Sequence, residues 1–270
     1  MVPTFFVPHP ALRNHISHIM VVEARHDLTI LKFSPFPPTP QHAIHFYPRD
    51  TVIAQDHKNG TWKQPESIIV GPQVSQVNIS TGAHHIIVSV AFMPGGLHRL
   101  LKIPMQELYD EPFDATLLLG REIAEVNEQL KAAQSTFSMK NVVERYLLRK
   151  LHYCSFLPWE HAMKAQLQGN ISIENAASLA CLSLRQYERR SNEVMGYSPK
   201  IFHRLIRFSQ AYRLKERQPQ LSWTNIAHTN GYFDQMHLIR DFKDFTGSPP
   251  GTLSKQISNA PALLQEHLRI

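Results

Sequence analysis

Arginine, glutamine and apolar side chains recur at helical spacing in two segments of the last third of this 270-residue chain. Arginine binds guanine through two hydrogen bonds, glutamine pairs with adenine in the same way, and an apolar side chain contacts the thymine methyl group. The helical period places seven such candidates on the outward sides of two amphipathic helices. The candidate readers of a DNA groove are Arg185, Glu188, Arg189, Gln235, Met236, Ile239 and Arg240.

The distribution of charge supports a polyanionic partner for this region. Residues 171–256 contain 12 Lys and Arg against 7 Asp and Glu, whereas the other 184 residues contain 16 against 15. A lone outward arginine on a helix is usually only solvated, but this local excess favours groove contact for Arg189. For Arg240 a phosphate contact and an internal pair with an acid remain open.

Two copies of one unit carry these helices. The first part of the unit repeats with an offset of 50 residues and the second part with an offset of 51. An internal repeat of this kind indicates that the region is built from two similar structural units, whatever the single motifs within it. The aligned pairs are Ile171 with Leu221, Ser172 with Ser222, Ala177 with Ala227, Ser183 with Asp234, Tyr187 with Leu238, Arg189 with Arg240, Gly196 with Gly247, and Pro199 with Pro250.

Each copy has the start and stop signals of a helix-turn-helix. A serine or aspartate can cap each helix, and a glycine can end the second helix of each copy. Residues 199–216 predict one long helix that holds the copies at a fixed separation. The predicted buried stripes are Tyr187, Ser191 and Val194 in the first copy and Leu238, Phe242 and Phe245 in the second.

This region resembles the DNA-binding domain of AraC/XylS-type bacterial transcription regulators. The resemblance implies two helix-turn-helix subdomains whose recognition helices enter successive major-groove segments. It also implies a transcription regulator, more often an activator, that contacts RNA polymerase. All seven candidate readers fall at the family's recognition-helix positions. The matching text is SLRQYERR (183–190), GYSPKIF (196–202), RFSQA (207–211), IAHTNGYFDQMHLIRDFK (226–243) and TGSPP (246–250).

Two positions depart from the family pattern. Cys181 stands where the first turn commonly has glycine, and we expect a small buried thiol there, in a turn with mild strain or a different geometry. Ser191 stands where the family usually has a large apolar residue. Because burying phenylalanine instead of serine is worth about 2 kcal/mol, Ser191→Phe is expected to raise the thermal midpoint.

The N-terminal half predicts short strands between residues 20 and 93, then helices near 97–101, 116–132 and 138–155. Val143, Leu147, Leu151 and Cys154 form one apolar stripe, which either packs on its own domain or pairs with a second chain. The text AFMPGGLHRLL (91–101) resembles the regulatory β-barrel of the same family, which implies effector binding, dimerisation or both.

The complete prediction is an α+β chain in four parts. Residues 1–156 form a cupin-like β-barrel domain with a helical connector, 157–170 a linker, 171–256 an all-α DNA-binding domain, and 257–270 a tail. The expected location is the cytoplasm, since no apolar run approaches the roughly 20 residues of a membrane span.

The rival function is a metal-dependent barrel enzyme fused to a DNA-binding module. The chain has 16 histidines, but neither His42 and His45 nor His84 and His85 have the spacing of two that ligands on one strand face require. We therefore expect partly exposed strand histidines, no metal, no cofactor and no catalytic residues. The side chains that could line a pocket, or else fill the core, are His42, His45, Phe46, Tyr47, His84 and Phe92.

Overall fold

The computed structural model describes residues 2–25, 33–151, 158–168 and 171–258, and its N-terminal domain contains two antiparallel sheets. The six-stranded sheet has the order β1-β2-β9-β4-β7-β10, and the four-stranded sheet has the order β3-β8-β5-β6. The strands are β1 (Val2–Phe6), β2 (Ile16–Arg25), β3 (Ser34–Phe36), β4 (Ala43–Phe46), β5 (Ile53–Asp56), β6 (Gly60–Lys63), β7 (Ser67–Val70), β8 (Val77–Ser80), β9 (His84–Phe92) and β10 (Pro112–Asp114).

The larger sheet has a helical layer on one face and the smaller sheet on the other. Alternate residues of β9, such as Val88 and Val90, enter the main core, while Ile87 contacts a second small core with Tyr47 and Val52. This alternation is the ordinary period of a strand. The helices of this domain are α1 (Gly96–Leu101), α2 (Ala115–Leu119), α3 (Arg121–Ala132) and α4 (Thr136–Arg149).

The apolar stripe of α4 packs on its own domain. Val143 and Leu147 are completely buried in the main core, and Leu151 is partly buried against it. Cys154, the last member of the stripe, lies outside the described residues. The described part of the stripe is therefore used within the chain and does not supply a dimer surface.

The strand predictions were incomplete at the proline-rich segment. Residues 34–40 (SPFPPTP) were expected to be a break, but Ser34–Phe36 form β3, which pairs antiparallel with β8. Proline is tolerated there because β3 is an edge strand. The apolar run LTILKF (28–33), one of the short strands predicted between residues 20 and 93, lies mostly outside the described residues.

The histidines are more buried than the sequence suggested. His84 is part-exposed and pairs with Glu23, whereas its neighbour His85 is 5% exposed, so their opposite orientation is confirmed. His42 is only 2% exposed, and burial lowers the pKa of His45 to about 4. The expectation of partly exposed strand histidines is wrong for His42 and His85, because both side chains lie between packed layers of the fold. Phe46 and Phe92 are main-core residues, so of the two alternatives left open for them they fill the core.

The C-terminal domain is entirely helical and contains the two predicted copies. The helix predicted over residues 199–216 is observed as α8, extended by one residue. No helix within the described ranges is both long and apolar enough to cross a bilayer. The helices are α5 (Pro158–Leu167), α6 (Ile173–Leu179), α7 (Leu184–Met195), α8 (Pro199–Arg217), α9 (Trp223–Thr229), α10 (Gln235–Thr246) and α11 (Pro250–Ser258).

The segment assigned to a linker is mostly helix α5. Trp159, Met163 and Leu167 are buried in the core of the C-terminal domain. The hydroxyl of Tyr187 on α7 donates a 2.6 Å hydrogen bond to Gln166 of α5. The C-terminal domain therefore includes α5, which the repeat comparison did not reach because its aligned pairs began at Ile171.

The predicted helix caps are confirmed. The side chains of Ser172, Ser183, Ser222 and Asp234 accept hydrogen bonds from backbone N–H groups at the starts of α6, α7, α9 and α10. Gly196 and Gly247 end the second helices with φ of 76° and 69°. The inward stripes are also confirmed. Buried in them are Tyr187, Ser191, Val194, Leu238, Phe242 and Phe245.

Cys181 adopts the backbone conformation that glycine has in the second copy. Its φ is 57°, against 71° for Gly231 at the equivalent turn. The side chain is exposed, so the expectation of a buried thiol is wrong. At Gly231 an added Cβ would have no atom within 4 Å, which shows that this turn points its side chain into solvent.

We expect Cys181→Gly to raise the stability of the chain by about 1 kcal/mol, since a left-handed conformation strains every residue with a Cβ. Gly231→Ala is the matched reverse change and should lower stability by a similar amount. Thermal or urea unfolding of both variants measures the two effects. Equal stabilities of Cys181→Gly and the parent would show that the first turn is unstrained.

Ser191 has a hydrogen-bonding role that the repeat comparison does not reveal. The side chain is completely buried, and its hydroxyl donates a 2.8 Å hydrogen bond to the carbonyl of Tyr197. Tyr197 is itself 1% exposed and stacks on Phe202. The position therefore holds a small side chain that satisfies a buried carbonyl, and the structure reverses the expected benefit of phenylalanine.

We now expect Ser191→Phe to lower the free energy of unfolding by about 1 to 3 kcal/mol, because the ring overfills a closed site and removes the hydrogen bond. Ser191→Ala should cost about 1 kcal/mol through loss of the bond alone. Urea unfolding distinguishes the two. A stabilised Ser191→Phe variant would restore the original interpretation of a poorly filled first module.

Candidate nucleic-acid interface

The second helix of each module presents the candidate readers to solvent. On α7, Arg185, Glu188 and Arg189 are exposed. On α10, Gln235, Met236 and Arg240 are exposed, and Ile239 is half-buried. The opposite side of each helix is fixed in the core by Tyr187 or Leu238, neither of which is exposed at all. The structure thus brings the seven residues into two sets of three and four, one set on each module.

Both helices have fixed starts. At α7 the Ser183 hydroxyl accepts from the Gln186 backbone N–H, and the Gln186 side chain accepts from the Ser183 backbone N–H. At α10 the backbone N–H of His237 donates to Asp234, which lowers the pKa of that carboxyl. These capping arrangements satisfy backbone groups that would otherwise lack partners and fix the end of each helix that a helix-turn-helix places nearest the bases.

Some arginines of the C-terminal domain form ion pairs with acidic residues of the same domain, whereas the arginines among the candidate readers form none within the described residues. Arg204 on α8 donates to Asp241 at 2.8 Å and also pairs with Asp244, and Arg190 pairs with Glu193 at 3.1 Å. None of the ion pairs among the described residues involves Arg185, Arg189 or Arg240. The internal pair with an acid that was left open for Arg240 is therefore absent from the described part of the chain.

Gln235 has one partner that sequence reasoning missed. Its Oε1 accepts a 2.9 Å hydrogen bond from the hydroxyl of Thr224 on α9. This contact joins the two helices of the second module across their exposed edge. It also orients the side-chain amide before any ligand is bound, which lowers the entropy lost on binding.

Two exposed apolar side chains at the helix starts were not predicted as candidate readers, because they lie beside the outward stripes and not within them. Phe233, immediately before the cap of α10, is 87% exposed, and Leu184 at the start of α7 is 47% exposed. The available signal was the repeat itself, in which Phe233 is the extra residue where the offset grows from 50 to 51. Leu182 and its counterpart Tyr232 both pack against the core, so the two copies differ by the exposed ring inserted after Tyr232.

The N-terminal domain contacts the first module through a buried ion pair. Arg99 of α1 donates a 2.5 Å hydrogen bond to Glu160 of α5, and the two side chains are 8% and 5% exposed. Arg99 also donates to Nδ1 of His15 at 3.1 Å and to the carbonyl of Asn14 at 2.6 Å. Burial and the charges of Arg99 and Lys102 lower the pKa of His15 to about 4, so its ring is neutral and accepts this bond.

The end of α7 is enclosed by the same interface. The backbone N–H of Gly95 points to the Met195 sulfur at 3.0 Å. A Cβ on Gly196 would lie 2.1 Å from Pro72 and 2.8 Å from the carbonyl of Met105, both in the N-terminal domain. Gly196 therefore has two reasons to be glycine: its left-handed conformation as a helix stop, and the close approach of another domain.

The proline-rich segment after β3 completes the contact. The hydroxyl of Tyr197 donates to the carbonyl of Pro40 at 3.2 Å, and the hydroxyl of Ser209 on α8 donates to that of Pro38 at 3.3 Å. The ring of His42 meets the ring of Tyr197 edge-on, with centroids 6.1 Å apart. Burial lowers the pKa of His42 to about 4, so this ring too is neutral. The interface between the two domains therefore combines a few buried hydrogen bonds with close packing of side chains.

The rival hypothesis of a metal enzyme required a group of ligands. Among the described residues, no three histidine, cysteine or carboxylate side chains gather where they could hold a metal ion. His45 and His85 lie on either side of Tyr47, with ring centroids 6.5 and 6.1 Å from it. This is an arrangement of packed rings.

Comparison with protein families gives two matches on this chain. Residues 176–256 match a family described as a helix-turn-helix domain, of the AraC type. Residues 4–114 match a family described as a domain of unknown function (DUF6597). No curated protein sequence is significantly similar to the chain.

Comparison with solved structures gives matches of low identity. ToxT from Vibrio cholerae O395 is 12% identical, with 90% of this chain and 99% of that chain covered and a TM-score of 0.44. Wild-type ToxT from Vibrio cholerae strain SCE256 with an unsaturated fatty acid bound is 11% identical, with 91% and 97% covered and a TM-score of 0.45. The AraC-like transcriptional activator CuxR is 10% identical, with 74% and 76% covered and a TM-score of 0.27.

The assignment rests on the C-terminal match and on the geometry that accompanies it. The matched residues contain both capped recognition helices and the long helix between them. The chain is therefore a DNA-binding transcription regulator with an AraC-type double helix-turn-helix domain.

Proposed function

We propose that this protein is a one-component transcription activator that reads an asymmetric promoter site with two modules of a single chain. The observation that carries the proposal is the pair of capped helices whose outward arginines are absent from the ion pairs of the described residues. Recognition helices on one face of DNA lie about 34 Å apart along the axis, or one helical turn. A rigid α8 favours this fixed spacing, so the site needs no palindrome.

The proposed contacts follow the chemistry of each side chain. Arg189 and Arg240 bind guanine through two hydrogen bonds, and Gln235 pairs with adenine. Met236 and Ile239 contact thymine methyl groups. On α7, Arg185 and Glu188 complete the set of groove contacts. Arg185 lies in the first turn of the helix, and Glu188 lies next to Arg189.

The N-terminal domain, in this proposal, controls the position of the first module. The contact runs from Arg99 to α5 and from Gly95 to the end of α7, so a change in the sheet domain reaches the recognition helix through few residues. A small effector bound in that domain, or association of two chains through it, supplies the change. The exposed surface of the C-terminal domain contacts RNA polymerase, and action on the chromosome places the protein in the cytoplasm.

We expect Arg189→Ala to relax discrimination at one base pair of the site, by a factor equivalent to about 1 to 3 kcal/mol. The site is first obtained by selecting bound duplexes from a random library with the full chain. Affinities for the selected site and its single-base variants are then measured over a range of salt concentrations. Arg190→Ala is the matched control, because Arg190 is adjacent on α7 but pairs with Glu193.

The salt dependence distinguishes the two kinds of contact. Loss of a phosphate contact weakens binding to every sequence and flattens the salt slope by about one unit, whereas loss of a base contact does neither. Unchanged affinity and unchanged discrimination in Arg189→Ala and in Arg240→Ala would contradict the proposed readers. Failure of the library to yield any enriched sequence would contradict sequence-specific binding itself.

The domain interface gives a separate expectation about stability. Arg99→Met removes the guanidinium beside the buried Glu160 carboxylate and should cost about 3 kcal/mol, whereas adding Glu160→Gln to the same chain should recover most of the loss. Urea unfolding measures both changes. The control is Arg121→Met in the exposed pair with Glu125, which should leave stability unchanged within error. Equal effects of Arg99→Met and Arg121→Met would show that the buried pair does not hold the domains together.

A further inference from the structure

Phe233 is an aromatic residue that is exposed to solvent just before the second recognition helix. Its side chain is 87% exposed, while the preceding Tyr232 is 4% exposed and carries the guanidinium of Arg207 over its ring at 4.9 Å. Tyr232 therefore packs the turn between α9 and α10, and Phe233 projects away from it. The first module has no counterpart of Phe233, because Leu182 is equivalent to Tyr232: their backbone N–H groups donate to the carbonyls of Ala177 and Ala227.

The ring of Phe233 is held in a defined place beside the start of α10. It meets the ring of His237 edge-on, with centroids 6.0 Å apart and planes at 90°. His237 is in turn fixed by Asp234, which accepts from its backbone N–H at 2.8 Å and lies 3.0 Å from its Nδ1. The exposed ring is thus oriented by the same residues that cap the helix.

The exposed apolar surface continues onto the outward face of the helix. Met236 is 58% exposed and lies three residues after Phe233, and Arg240 follows four residues later. Met236 and Arg240, four residues apart, are neighbours on α10, and Phe233 lies beside the start of the same helix through its contact with His237. The first module has Arg185 at the position aligned with Met236, so only the second module begins with an apolar pair.

We infer that Phe233, together with Met236, contacts the 5-methyl group of a thymine in the major groove and makes the second module prefer A·T pairs there. This inference rests on the proposed function, because it places α10 in the groove. The groove is the favoured occupant since the residues nearest a recognition-helix N-terminus reach the base edges. Thymine is the base with a methyl group there, which apolar side chains contact.

The test removes only the methyl group. Each thymine of the selected site is replaced in turn by deoxyuridine, which keeps every hydrogen bond of the base pair, and the affinity of the full chain is measured. At one position the parent protein should lose about fourfold in affinity, as expected for one buried methyl-sized group. Phe233→Ala should bind the thymine site more weakly, and its affinities for thymine and uracil at that position should be equal.

Two further variants control the measurement. Phe233→Leu keeps an apolar contact and should retain a preference for thymine over uracil. Phe137→Ala removes a ring that is 61% exposed on α4 of the N-terminal domain, and it should leave both affinities unchanged. The high exposure of Phe233 predicts an unchanged thermal midpoint for Phe233→Ala, so a loss of affinity is not a loss of folding.

The remaining outcomes overturn the inference in distinct ways. Weaker binding of Phe233→Ala to all duplexes, with the preference for thymine intact, assigns the ring to the sugar-phosphate backbone. Unchanged DNA binding by Phe233→Ala leaves the ring as a contact for a protein partner. In both cases an enriched selected site still supports the proposed function. Absence of an enriched site contradicts the proposed function instead.

Discussion

A guanidinium and a carboxylate that are both almost completely removed from water join the two halves of this molecule. Arg99 and Glu160 tolerate this burial because each compensates the charge of the other, and because Arg99 also donates to His15 and to a backbone carbonyl. A buried pair of this kind has a narrow range of acceptable geometries. The position of α5, and through it of the first DNA-binding module, is therefore fixed relative to the sheet domain.

The two modules share an architecture but differ in what surrounds them. The first has α5 beneath it, the N-terminal domain against the end of its recognition helix, and a serine in its core that satisfies a carbonyl. The second is held to α8 by Arg204 and its two aspartates and by the aromatic contacts of Phe208 with Phe242 and Phe245. The recognition helix of the first module thus ends against the N-terminal domain, while that of the second is held by α8 and its module meets the sheet domain where α11 contacts β3.

Much of the C-terminal fold could be predicted because its determinants are local. Helix caps such as Ser183, helix ends such as Gly247 and the buried stripes depend on neighbours within one or two helical turns. Because the unit is duplicated, each of these signals occurs twice in the sequence. The predictions failed where a residue's environment depends on partners distant in the sequence, or on the direction in which its side chain points. Ser191, His42 and α5 belong to the first kind. Cys181 belongs to the second, since its left-handed turn directs the thiol outward. The exposure of the candidate readers could be predicted because exposure on an amphipathic helix is itself a local property.

Gly196 fits closely against Pro72 and Met105, so the DNA-binding domain is poorly suited to transfer into another protein. Separated from residues 2–151, it would present Trp159, Val194 and Tyr197 to water, all of them covered at least in part by the sheet domain in the whole chain. Such a fragment would carry an adhesive patch next to its recognition helix. Chimaeras that attach this domain to a foreign sensor would need a substitute surface for those three side chains.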